Sequence, residues 1–224
     1  MDYDIAEELY LYPTPAGAFY AVSGESNDQA RKVINAILRL EHTPKLTLER
    51  IRQWAAIAID NENEDDVKGE QEAATLLKRM QDAGWIQGCE AYKSAPEGTL
   101  EECLPHLLRP LSNEGKVLLA DNQGLHISHV GFPYETVEQL SALSADISIL
   151  HDRHSRLLSK NLGLSSSAWA TVDAAGNSQT GFWPLYIGTY RLVLVINGLP
   201  RLNQASLTQL IWALSIRYGA NESL

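Results

Sequence analysis

The run Tyr190–Ile196 constrains this chain more than any other stretch, because apart from Arg191 it is apolar throughout. A strand of that kind has no side for water, so it belongs in the middle of a sheet covered on both faces. Its neighbours supply the sheet and the cover. Strands at Lys116–Asp121 and Leu125–Val130 flank a turn at Asn122-Gln123-Gly124, and strands at Ala168–Asp173 and Gln179–Ile187 flank Ala174-Ala175-Gly176-Asn177. Pro184 has no N–H to donate, so its strand reads as an edge or a bulge. A short helix is expected around Leu100–Pro110 and a long one from about Glu135 to Leu162, entered after Pro133. A last helix, capped by Asn203 or Ser206, carries Leu207, Leu210, Ile211 and Leu214 on one face and ends at Gly219.

The order is thus helix, two strands, long helix, three strands, helix. With the run Val117-Leu118-Leu119-Ala120-Asp121-Asn122-Gln123-Gly124-Leu125 as its opening hairpin, residues 105–220 resemble the Roadblock/dynein light chain family, its bacterial MglB-like members in particular. The resemblance implies a Roadblock/profilin-like domain over 99–224. It also implies a dimeric scaffold or regulator whose partner is a small Ras-like GTPase.

Residues 1–98 form a second unit, set off by the linker-like Lys93-Ser94-Ala95-Pro96-Glu97-Gly98. A leading hairpin is expected, with strands at Leu9–Tyr12 and Ala18–Val22 around Pro13-Thr14-Pro15-Ala16-Gly17. Three helices follow. The first is capped by Asn27 or Asp28 and buries Ala30, Val33, Ile34, Ile37 and Leu38. The second is capped by Thr47 and buries Leu48, Ile51 and Ala55. The third carries Ala73, Leu76, Leu77 and Met80 and stops at Gly84, before a strand at Trp85-Ile86. This outline resembles a winged helix, and with the strand pair in front it is similar to the small PqqD-like peptide-chaperone fold. The fold class expected for the whole chain is α+β.

Charge bears on the partner. Residues 1–100 hold ten Lys/Arg against eighteen Asp/Glu, while the rest hold eight against ten. Nucleic-acid affinity comes largely from clustered bases that neutralise phosphates, and a first half at −8 opposes it. The recognition helix of a winged helix would be the third, and it mixes Lys68, Lys78 and Arg79 with Glu70, Glu72 and Asp82. No apolar run approaches the length that spans a bilayer. The first eight residues carry four acids and no base, unlike a secretory or mitochondrial leader, so a cytoplasmic location is expected. Cys89 and Cys103 are too far apart for a CxxC pair and read as ordinary thiols.

On the long helix, at 100° per residue, Leu140, Leu143, Ile147, Leu150, His154 and Leu157 share one face, which is expected to sit on the sheet. Nearly opposite lie Ser141, Ala145, Ser148, Asp152 and Ser155. These short side chains let another backbone approach, so they are the expected homodimer interface. Between the two stripes Ile149, Arg153, Arg156 and Lys160 form a basic flank, either a partner-binding surface or a solvated one.

Chemistry finds little purchase. His126 and His129 are three apart on a strand, a spacing that sends them to opposite faces and prevents chelation. His151 and His154 are three apart on a helix but lack a further ligand at a persuasive spacing. Asp60–Asp66 is acidic but lacks the glycine and the terminal glutamate of an EF-hand loop. There is no G-x-S-x-G elbow, P-loop or G-x-G-x-x-G, and Cys103 has only His106, one helix turn away, as a conceivable partner. No catalytic residue, metal or other cofactor is expected. The leading reading is a non-catalytic scaffold or regulator that dimerises and docks a GTPase. The alternative is a winged-helix DNA-binding regulator with a Roadblock-like dimerisation or sensor domain.

Overall fold

In a computed structural model, which describes residues 8–24, 28–59 and 66–219, β1 (Tyr10–Pro13) leads directly into α1 (Pro15–Val22). The expected hairpin is therefore corrected, since Ala18–Val22 is helical. Thr14 is an N-cap whose Oγ1 accepts from the Gly17 N–H at 3.1 Å, and Pro15 sits in the first helical turn, where its fixed φ is already right. The Pro-Thr-Pro run that reads as a turn is a helix start. Gly17 is required by packing, since a Cβ there would collide with the Trp85 carbonyl.

Next come α2 (Gln29–Leu38), α3 (Leu48–Ile59) and α4 (Asp66–Asp82). Asp28 caps α2 through Oδ1, which accepts from Arg31 N–H at 3.1 Å, and the whole expected stripe on α2 is buried. On α3 Ile51 and Trp54 are buried, but Leu48 is exposed at 38%. The acidic segment 60–65 lies outside the described residues. Gly84, at φ +72°, ends α4, and β2 (Ile86–Cys89) pairs antiparallel with β1, Tyr10 opposite Cys89 and Pro13 opposite Ile86. The strand paired with β1 thus comes after the helices instead of before them.

The second half follows the expected order. It contains α5 (Leu100–Leu108), β3 (Lys116–Asp121), β4 (His126–Val130), α6 (Tyr134–Arg156), β5 (Trp169–Val172), β6 (Ser178–Ile187), β7 (Tyr190–Asn197) and α7 (Ala205–Tyr218). Every strand is antiparallel to its neighbours, in the order β4-β3-β7-β6-β5. The apolar run is the central strand, with Leu192 to Ile196 at most 1% exposed. Pro184 lies on β6 opposite Val193 of β7, but β5 reaches only to Phe182. Beyond that point β6 is locally an edge, where a missing N–H costs no ladder bond.

One correction concerns β4. Leu119 faces Ser128 while Ala120 faces His126, so Ile127 is an extra residue, a β-bulge that breaks the alternation. Ile127 and Ser128 both turn toward α5 and α7, and His126 and His129 share the α6 side with ring centroids 5.7 Å apart. The spacing rule that separates them holds only for an unbroken ladder.

α6 lies on one face of the sheet over Leu118, Phe182, Val193 and Val195, and α5 and α7 lie on the other. One buried core continues from that second face into the first half. Trp212 of α7 is 1% exposed, contacts the Tyr12 ring at 6.0 Å and donates from Nε1 to the Leu40 carbonyl at 2.7 Å. The chain is a mixed α+β structure in which the first half packs on the outer side of α7.

Candidate interaction surface

α6 owes its length to a sequence without Gly or Pro and to charges placed favourably along its dipole. Glu135 lies in the first turn, and Arg153, His154 and Arg156 lie in the last. It runs on into a π-turn over Leu157–Asn161 and stops before Gly163, at φ +67°.

Its orientation reverses the expected one. Val137, Ser141, Ser144 and Ser148 are buried at 0%, 1%, 0% and 5%, whereas Leu143, Leu150 and Leu157 stand out at 44%, 42% and 47%. The reason is volume. The sheet beneath α6 is already filled by Leu118, Phe182 and Val195, so the helix fits by bringing small side chains to it. The approach is close at Gly124, φ +84°, where a Cβ would lie 3.2 Å from the Ser141 carbonyl oxygen. Ser144 satisfies its hydroxyl on the Ser141 carbonyl at 2.7 Å. Leu140 and Ile147 pack against the sheet cluster from the side.

The proposed interface set therefore does not form one outward surface. Ser141 and Ser148 face the sheet, Ala145 is half-buried, and only Asp152 and Ser155 are exposed. Asp152 is occupied, with both its oxygens accepting from one Arg191 nitrogen of β7 at 2.8 and 3.0 Å. Next to it, His151 Nδ1 accepts from Trp169 Nε1 at 3.1 Å, which ties β5 to α6. What stands outward instead is a ridge at seven-residue spacing, Leu143, Leu150 and Leu157. That spacing is visible in the sequence, where it points to a sheet contact that the serines make instead.

No family model matches this chain, and neither does any curated protein. Solved structures do. A Roadblock/LC7 domain from Streptomyces avermitilis matches at 14% identity, covering 54% of this chain and 93% of that one, with a TM-score of 0.34. MglB of Myxococcus xanthus matches at 20% identity over 50% of this chain and 84% of that one, with a TM-score of 0.31. The gliding protein MglB of Thermus thermophilus matches at 19% identity over 58% and 96%, with a TM-score of 0.34.

Ile149, Arg153, Arg156 and Lys160 are all exposed, Ile149 at 54%, on the side of α6 turned away from the sheet. Elsewhere, a cleft of about 590 Å³ between α5 and α7 is lined by Thr99, Glu101, Cys103, Ile127, Arg217 and Tyr218. Burial pushes the Cys103 thiol up, and the nearby Glu101 and Glu102 charges push the same way, opposite to what an activated nucleophile needs. Among the described residues no three His, Cys, Asp or Glu side chains gather to hold a metal, and no helix is long and apolar enough to cross a membrane.

Proposed function

We propose that this chain is a non-catalytic regulatory protein that pairs with a second copy through α6 and docks a small Ras-like GTPase on the flank of that helix. The reading is carried by the ridge Leu143, Leu150 and Leu157, three leucines left exposed at 42–47% on a helix whose other face is already used. Exposed leucines repeating every seven residues stay on one side of a helix and can form half of a seam with a second helix. A two-fold pair would bury the ridge and leave Arg153, Arg156 and Lys160 at its margin. There a basic flank with one apolar member, Ile149, suits an acidic partner surface. The GTPase as partner rests on the Roadblock resemblance read from the sequence. Residues 1–98 serve in this reading as a winged-helix-like protein-binding unit beside the Roadblock-like unit of 99–224, in a cytoplasmic protein.

The DNA-binding alternative gains nothing from the structure, since Lys78 of α4 is paired with Asp82 at 2.8 Å. The test has two arms. Light scattering at tens of micromolar should give a dimer, and a monomer overturns the pairing. Pull-down with a candidate GTPase loaded with GDP or a GTP analogue should distinguish the two states, because such proteins rearrange their switch segments when the γ-phosphate is lost. Arg153→Glu with Arg156→Glu should weaken recovery without unfolding the domain. Equal recovery in both states reduces the protein to a passive scaffold.

A further inference from the structure

The geometry of β4 points to a metal site: we propose that His126 and His129 together bind a borderline divalent transition ion of the copper–zinc kind. Three observations meet there. The bulge at Ile127 puts both imidazoles on the same side of the strand, with centroids 5.7 Å apart and planes at 78°. Imidazole nitrogens bind such ions at about 2.0–2.1 Å, which sets two rings sharing one ion roughly 5–6 Å apart between centroids.

The second observation is access. β4 is an edge strand bonded to β3 alone, and His126 is exposed, so an ion can arrive from solvent and keep water in its remaining positions. The third is restraint. Tyr134, the first residue of α6, meets the His126 ring edge-on at 5.7 Å and 89°, which limits its rotation.

No third His, Cys, Asp or Glu joins the pair among the described residues, which makes this an open two-imidazole site of exchangeable character. Nitrogen ligands of this kind suit zinc, nickel and copper, with Cu²⁺ bound most tightly. An ion there would lock the β4 edge of the hairpin beside the first turn of α6, in a different part of the molecule from the leucine ridge.

The probe is Cu²⁺ titrated into the metal-free full-length chain at neutral pH. One ion per chain at micromolar affinity is expected, with coupling to two nitrogens in the electron paramagnetic resonance spectrum. Losing even an outer-shell partner costs about 10–100-fold in metal affinity, so His126→Ala or His129→Ala should weaken binding by at least that factor. His151→Asn with His154→Asn should leave the signal unchanged. Matching thermal midpoints without metal check that the variants fold. Two-nitrogen coupling that survives loss of both β4 histidines overturns the proposal, as does wild-type binding weaker than that micromolar range.

Discussion

The two faces of the five-stranded sheet are covered in different ways, and the helices record it. On one face α7 is buried nearly all round, with Leu207, Thr208, Leu210, Ile211 and Leu214 at 0%, Trp212 at 1% and Ser215 at 3%. It has the sheet below it and α1 and α2 above it, so no side of it needs to be polar. On the other face α6 touches the sheet with serines and shows leucines to solvent. Its sheet side carries Val137 and three serines, with Leu140 and Ile147 packing from the margin, while Leu143, Leu150 and Leu157 lie exposed. Apolar content along a helix thus does not say which of its faces meets the sheet.

Breaking the closed face should have the largest effect. Trp212→Ala removes a large buried side chain and its bond to Leu40, at a cost of about 3–5 kcal/mol. Because the core is shared, both halves should lose structure in one urea transition. Separate transitions for the two halves would show that they are independent. On the open face the two stripes of α6 should respond oppositely. Ser148→Arg forces a long charged group against Phe182 and Val193 and should destabilise the fold by about 3 kcal/mol or more. Leu150→Glu should leave monomer stability within about 0.5 kcal/mol and abolish the dimer in light scattering. A stable Ser148→Arg beside an unfolded Leu150→Glu would turn the helix over.

The smallest effect probes the outer layer of the closed face through the cap of α2. Burial alone would raise the Asp28 carboxyl. The Tyr20 hydroxyl at 2.8 Å, the Arg31 N–H and the Arg31 charge outweigh it and hold the group below its ordinary 3.8. A carboxylate depressed on folding adds stability that is full above that ordinary value and is lost as pH falls through the lower folded value. Chemical denaturation of Asp28→Asn should therefore show a flatter acid limb than wild type, with the curves converging at the lowest pH. Parallel curves would mean that the cap contributes nothing through its charge.

Much of the second half was legible because its signals are local. Gly124 follows Asp121, whose Oδ1 accepts from the N–H groups of Gln123 and Leu125, so the turn is written in its own residues. Pro184 foretold a local edge, and the Tyr190–Ile196 run foretold the central strand. What was not legible depended on distant neighbours. Thr14-Pro15 supports a turn or a helix start equally well, and only packing of Gly17 against the Trp85 carbonyl selects the helix. The wheel of α6 shows two stripes but not the bulk of Phe182 and Val195 beneath one of them. The His126–His129 pair was hidden by the bulge at Ile127, a register slip that cannot be counted from spacing.

The Trp212–Leu40 hydrogen bond joins residues 172 positions apart. A ribosome adding 5–20 residues per second takes roughly ten to thirty seconds to cover that distance. Until then α2 has α1 and α3 beside it but not α7, so the core of the first half is still incomplete. The first half can therefore complete its core only after nearly the whole chain has been made.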